Sequence, residues 1–276
     1  MDYLYFYSGK LPNHIYTSFE SVLSNDPDSK IHLCSDNKPL TSYVNHIDID
    51  EIKSQYVDCV KELNYFKGET NPLWETSLLR IFYLYEAAKT LNISNFVHFD
   101  ADILLFKSHE QVKNSFQPNK FNITPVNELF LIFGYSYIDN LEVFNLICEQ
   151  LIEIITNAKK YEDKFYDKQR LNEMIMLNLA YFQNPENFNL LNVTPEKSSN
   201  FVFDPISYGQ FIAGIDGQKF SKGYIDEDHY AGREILNKGY KIFFEKNQPY
   251  ILHDGNSYEL VNLHLHKKNL KKYIKK

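Results

Sequence analysis

Apolar and polar positions along this chain follow two periods, one of strands and one of helices. "YLYFY" (3–7) is a continuous apolar run that stops at Ser8-Gly9, which predicts a buried first strand. "HIYTSFESVLS" (14–24) carries its apolar residues at helical spacing, and "KIHLCSD" (30–36) predicts a second strand with a polar end. A strand–helix–strand opening predicts a parallel sheet with right-handed crossovers. Ligands of such sheets bind beyond the carboxyl ends of the strands. Ser8, Gly9, Ser35 and Asp36 fall on that rim.

"PLWETSLLRIFYLYEAAKTL" (72–91) opens with a proline and an early acid, then shows a strong apolar stripe, and predicts a helix. "NFVHF" and "ILLF" follow as two strands on either side of Asp100-Ala101-Asp102. "NLEVFNLICEQLIEIITNAKKY" (140–161) predicts one long amphipathic helix, and "KQRLNEMIMLNLAYF" (168–182) another. "SSNFVFDPISYGQFIAGIDG" (198–217) predicts a short strand and then a glycine-punctuated loop. "DEDHYAGREILNKGY" (226–240) predicts a helix closed by Gly239, and "KIFFE", "PYILH" and "YELVNLHLH" predict late strands. No internal repeat or linker breaks the pattern, so 1–276 is expected to be one α/β domain.

Burying two unpaired acids inside a strand costs roughly several kcal/mol each. Asp100 and Asp102 avoid that cost if they sit just past the end of a central strand, where a ligand would lie. Two carboxylates in Asp-x-Asp can share one hard cation such as Mn²⁺ or Mg²⁺, which often bridges to phosphates. The plainer reading is a turn whose acids cap the next element. In "NLHLHKKNL" (262–270), His264 and His266 share a face if the segment is a strand. Either imidazole could complete such a site, and Lys267 or Lys268 could meet a diphosphate; a surface patch is the plainer alternative.

Composition narrows the partners. The formal charge of −7 argues against nucleic acid. The last ten residues hold six lysines, read as a solvated tail with at most weak contact with a membrane surface. Three scattered cysteines fit neither a zinc site nor a disulfide framework. The start lacks the features of a signal peptide, and the most apolar stretch, "LFLIFGYSYI", is too short to span a bilayer. The expected location is therefore cytoplasmic.

"FVHFDADILLF" resembles the DxD segment of nucleotide-sugar glycosyltransferases of the GT-A fold. "PLWETSLLRIFYLYE" is similar to the helix before DxD. "FDPISYGQFIAGIDG", "GYIDEDHYAGREIL" and "NLHLHKKNL" resemble small viral and bacterial transferases, among them the chlorovirus enzymes that decorate the major capsid protein. The resemblance implies a GT-A fold, Rossmann-like and nucleotide-binding, with a mixed, mainly parallel sheet flanked by helices. It implies a nucleotide-sugar-binding half at 1–106, an acceptor-side half at 107–261 and a metal and diphosphate segment at 262–276. It implies Mn²⁺ or Mg²⁺ on Asp100, Asp102 and one of His264 and His266. A nucleotide-sugar donor, a UDP-sugar above all, would lie on Ser8, Gly9, Asp36, Arg80, Asp100 and Lys268. The acceptor would be a glycan or a glycoprotein. The histidine spacing departs from the commoner His-x-x-Gly-x-x-Lys pattern, so the choice of histidine stays open. For a catalytic carboxylate the candidates are Glu173, Asp216 and Asp228, with Asp226 and Glu227 beside them. Two other classes fit parts of the pattern: a Mg²⁺-dependent phosphatase or nuclease, and a non-catalytic carbohydrate- or nucleotide-binding module.

Overall fold

The computed structural model describes residues 1–165, 170–215 and 222–274. The first half runs β1 (Asp2–Tyr7), α1 (Asn13–Asn25), β2 (Lys30–Ser35), β3 (Val44–Asp48), α2 (Gln55–Leu63), α3 (Leu73–Thr90), β4 (Phe96–Phe99) and β5 (Ile103–Leu105). Then come α4 (His109–Val112), β6 (Phe121–Pro125), β7 (Leu131–Ile138), α5 (Leu141–Thr156), α6 (Ala158–Phe165), α7 (Glu173–Gln183) and β8 (Phe188–Leu190). The remainder is β9 (Phe201–Val202), α8 (Ser207–Ala213), α9 (Tyr230–Lys238), β10 (Lys241–Glu245), β11 (Gln248–His253), β12 (Asn256–Leu260) and β13 (Asn262–His264).

The main sheet has the strand order β3-β2-β1-β4-β7-β6-β8. It is mixed and mainly parallel: β7 alone runs opposite to its neighbours. Helices flank both faces, as expected for the α/β class. Strand periodicity shows why. Leu4 and Phe6 of β1 join one apolar layer with α2, α3, α5 and α7, while Tyr3 and Tyr5 join the other with α1. A strand buried on both faces must be apolar throughout, which is what "YLYFY" is.

Several expected elements differ. "ILLF" leaves the main sheet; its core, β5, pairs only with β13. "YELVNLHLH" is two strands in two sheets, interrupted at Val261, because β12 pairs with β11 and β9. The helix expected over 140–161 breaks at Asn157, whose side chain donates to Glu153 O at 2.9 Å and so competes with the helical ladder. The helix expected over 168–182 begins at Glu173, capped by Asn172; Lys168 and Gln169 lie outside the described residues. Within the expected loop of 198–217 stands α8. Asp226, Glu227 and Asp228 precede α9 rather than opening its first turn, while Gly239 closes it in the left-handed region at φ 62. The lysine-rich end folds at least in part, since Leu270 is buried. No helix among the described residues is long and apolar enough to cross a membrane.

Two devices shape the rim of the sheet. The first is a break in register between β6 and β7: Ile123 faces Ser136 but Thr124 faces Ile132, so Phe133, Gly134 and Tyr135 lack β6 partners. The second is the seating of β5 against α1. Ser18 Oγ donates to Ile103 O at 2.7 Å, Leu105 N–H donates to Ser21 Oγ at 3.0 Å, and Asn25 donates to Leu105 O at 2.9 Å. Ser18, Ser21 and Asn25 on α1 are thereby satisfied, whereas the buried Thr17 hydroxyl has no partner among the described residues.

Helix α5 docks through Phe144, whose ring lies 5.6 Å from those of Tyr85 and Phe121 and 5.9 Å from that of Phe96. Phe144→Ala should therefore destabilise the fold by roughly 3–5 kcal/mol. Urea unfolding followed by circular dichroism checks this; a loss below about 1 kcal/mol would contradict the packing described.

Candidate metal centre

The site grows out of the end of β4. Past Phe99, Asp100 N–H donates to Gly134 O at 2.9 Å, so the chain leaves the sheet along the irregular stretch of β7. Ile103 N–H then closes the Asp100–Asp102 turn onto Asp100 O at 3.1 Å. β13 lies antiparallel to β5 with His264 opposite Ile103, and Leu265 N–H donates to Asp102 O at 2.9 Å. These bonds bring a distant part of the chain against Asp-x-Asp. His264 Nε2 stands 3.1 Å from Asp102 Oδ1 and 3.8 Å from Asp100 Oδ2. One ligand atom from each of the three lies within 4.8 Å of the others. Gly134 makes room for the ring: a Cβ there would sit 3.3 Å from His264 Nδ1.

Electrostatics hold the cluster together. Burial works to lower the pKa of His264, but Asp102, Asp100 and Asp204 raise it to about 9. Burial works to raise the pKa of Asp102, but His264, Lys268 and His14 bring it down to about 2. Asp100 is raised, chiefly by burial, with Asp102 adding and Arg80 and His264 opposing. Arg80 reaches this group from α3. Its guanidinium joins Asp100 to Glu173, the latter at 3.0 Å, and its Cζ lies 5.4 Å from the centre of the Phe133 ring. Burial and Asp100 push Glu173 up to about 7 against the pull of Arg80.

The residues singled out from the sequence divide into groups. Asp100, Asp102 and His264 come together, and Arg80 and Glu173 join through Asp100. His266 lies past the end of β13 and outside the three-residue cluster, so the two histidines do not share a strand face. Lys268 follows in a tight turn at φ 57 and acts on the charge of Asp102. Ser8, Gly9 and Asp36 meet at the ends of β1 and β2: Gly9 N–H donates to both Asp36 carboxylate oxygens at 2.9 Å and Ser8 Oγ to one at 3.3 Å. Slight burial opposes these bonds and that from Asn37, yet the Asp36 pKa ends below its ordinary value. Asp226 and Asp228 sit in the turn before α9, which Tyr230 N–H ties to Val126 O at 2.9 Å, beyond the carboxyl end of β6. Glu227 is exposed there, and Asp216 lies outside the described residues.

Two residues escaped the sequence reading. His14, in the first turn of α1, faces the cluster closely enough to act on Asp102. Its signal was position: a helix after β1 starts at the rim where ligands bind. Asp204, in "FDPIS", is buried and accepts the main-chain N–H of His264 at 2.9 Å. Nothing local announces that contact.

No protein-family model matches the chain. No curated protein matches it either. Among solved structures it is similar to mouse xyloside xylosyltransferase 1 in its apo form, at 13% identity and a TM-score of 0.48, over 70% of this chain and 86% of that one. It is also similar to the galactosyltransferase LgtC, solved with donor and acceptor sugar analogs, at 11% identity and a TM-score of 0.39, over 70% of this chain and 73% of that one. The glycosyltransferase GlyE of Streptococcus pneumoniae is similar at 12% identity and a TM-score of 0.41, over 69% of this chain but 44% of that one. Likeness this distant leaves function to be read from the side chains of this chain.

The donor set suits a hard or borderline dication. Two carboxylates supply oxygen, and an imidazole favours Mn²⁺ somewhat over Mg²⁺. A histidine must be neutral to ligate, so the proton on His264 competes with a cation. Without a divalent ion, a pKa raised from 6.5 to about 9 gives His264 a stabilising contribution that is full below pH 6.5 and lost as pH rises through 9. His264→Ala should flatten the melting temperature between those limits in EDTA. Mn²⁺ affinity should conversely rise with pH across the same window and release protons, measured by calorimetry in buffers of different ionisation enthalpy. Affinity independent of pH would exclude His264 as a ligand.

Arg80 is 11% exposed and serves two carboxylates. Arg80→Met leaves Glu173 buried without a cation and Asp100 with His264 alone, and should destabilise by roughly 3–5 kcal/mol near neutral pH. Chemical denaturation checks this, with a smaller loss expected at pH 5, where Glu173, raised to about 7, is protonated.

Proposed function

We propose that this chain is a metal-dependent glycosyltransferase of the GT-A type, moving a hexose from a nucleoside-diphosphate sugar to a glycan or protein-linked glycan. The observation that carries the reading is the Asp100, Asp102 and His264 cluster just past the carboxyl end of β4. That position, in the middle of a mainly parallel sheet, is where such folds keep a nucleotide ligand. The division into a donor half (1–106), an acceptor-side half (107–261) and a closing segment (262–276) belongs to the same proposal.

Asp102 and His264, with Asp100, would hold Mn²⁺ or Mg²⁺, which supplies positive charge against a departing diphosphate. Lys268, already acting on Asp102, adds a second cation at the same place. The left-handed Gly9 turn and Asp36 offer a nucleoside main-chain and carboxylate groups at the neighbouring strand ends; UDP is the donor we favour. Arg80 is engaged by Asp100 and Glu173, so in this reading it positions Asp100 as well as attracting the donor. If the reaction inverts configuration, Asp228, exposed on the rim, is better placed to meet an acceptor hydroxyl than Glu173, which is enclosed and holds Arg80. The acceptor in this reading is a glycan or a glycoprotein. The three unpaired cysteines suit a reducing, cytoplasmic setting.

The test is a panel of UDP-, GDP- and CMP-sugars incubated with the chain and MnCl₂. UDP and free or transferred sugar should appear from a UDP-sugar, and EDTA should abolish both. Asp102→Asn should lower turnover by at least about a hundredfold while the melting curve in EDTA stays cooperative. Release of inorganic phosphate in place of UDP would identify a phosphatase. Nucleotide or sugar binding without turnover would identify a binding module.

A further inference from the structure

We infer that Asp204 is the positioning residue for His264, fixing the metal-facing imidazole through the main chain rather than through its ring. This rests on the reading of His264 as a metal ligand. Histidines that ligate metals ordinarily donate their second ring nitrogen to a carboxylate, carbonyl or water, which sets the ring's orientation. His264 Nδ1 is buried with no hydrogen-bond partner among the described residues. Its position must be set another way.

Asp204 supplies that way. It is 1% exposed, and its carboxylate accepts four main-chain N–H groups. Oδ1 takes Ile206 and Tyr208, each at 2.9 Å; Oδ2 takes Gly209 at 2.8 Å and His264 at 2.9 Å. One buried anion therefore ties the first turn of α8 to the end of β13. Its own main chain is clamped to the start of that strand: Asp204 N–H donates to Asn262 Oδ1 at 3.1 Å, and Asn262 Nδ2 donates back to Asp204 O at 3.0 Å.

The contact is close enough to dictate a residue type. A Cβ on Gly209 would meet His264 O at 1.9 Å. Ile206 is held at φ 155 and ψ −23, a conformation a β-branched residue adopts only when its surroundings impose it. A carboxylate is required because all four partners are donors and a carboxylate only accepts. An amide would turn an N–H₂ toward N–H groups. β13 is three residues long, too short to hold its last residue by strand pairing alone. With Asp204 behind it and Gly134 in front, the imidazole has one place to go.

The experiment is a double-mutant cycle read by Mn²⁺ binding alone, using electron paramagnetic resonance of the full chain. Asp204→Asn should weaken Mn²⁺ binding by about 10- to 100-fold. In a His264→Ala background the same substitution should change the affinity by less than about twofold, because the group it positions is gone. A general structural lesion would instead weaken binding equally in both backgrounds. Asn262→Ala, which keeps the carboxylate and removes one clamp, goes through the same cycle. It should give a smaller loss that also vanishes without His264, and it decides the matter if Asp204→Asn does not fold. Wild-type affinity in the substituted chain, or equal losses in both backgrounds, overturns the proposal. If His264→Ala alone leaves Mn²⁺ affinity unchanged, the metal-ligand reading fails, and this inference fails with it.

Discussion

A three-residue strand pairing brings the candidate metal ligands of this chain together. Strand β13 meets β5 at Asn262–Leu105, Leu263–Leu104 and His264–Ile103, and Leu265 N–H continues the contact to Asp102 O. Without it, the Asp100–Asp102 turn would keep Arg80 beside Asp100 but have no imidazole from the end of the chain. With it, an imidazole from far along the chain stands beside both. The pairing is brief, so its geometry is enforced from outside: by α1 behind β5, by α8 behind β13, and by the irregular stretch of β7 beneath the histidine.

Charge explains why those supports are so numerous. Asp100, Asp102, Glu173 and Asp204 are carboxylates in or near the apolar interior, with Arg80 and His264 among them as cations. Ion pairs removed from water return little net stability, because desolvation offsets their attraction. Each acid therefore has a specific partner. Asp100 and Glu173 share Arg80, Asp102 faces His264, and Asp204 is surrounded by main-chain N–H groups. A cation replacing the His264 proton would alter the charge at the centre while leaving the Arg80 and Asp204 supports in place.

What the sequence shows and hides follows the range of the interactions. "YLYFY", "HIYTSFESVLS", "KIHLCSD" and the α3 stripe are legible because strand and helix periods are local properties. Asp100 and Asp102 are legible because acids inside an apolar run demand a reason. The departure of β5 from the main sheet is hidden, because "ILLF" would serve equally well in either place; serines on α1 and a partner far along the chain decide it. The choice between His264 and His266 is hidden for a related reason. Two residues apart, they would share a face on a longer strand, but β13 ends at His264, whose main-chain N–H is taken by Asp204. Helix α8 is hidden because Gly209 reads as a loop residue, yet it is there to let a helix touch a carbonyl. Of the candidate bases, Asp216 rests on pattern alone, while Asp228 is exposed in the turn before α9.

Helix α1 does a job that normally belongs to a neighbouring strand. Through Ser18, Ser21 and Asn25 it occupies the hydrogen-bonding groups that β5 turns away from β13. In effect β5 has a paired edge on one side and a side-chain-saturated edge on the other. A two-stranded ribbon with a bare edge invites another chain to add itself. Here three short polar side chains remove that invitation beside the Asp-x-Asp turn, so the ribbon remains a pair and the space in front of the acids stays clear of foreign strands.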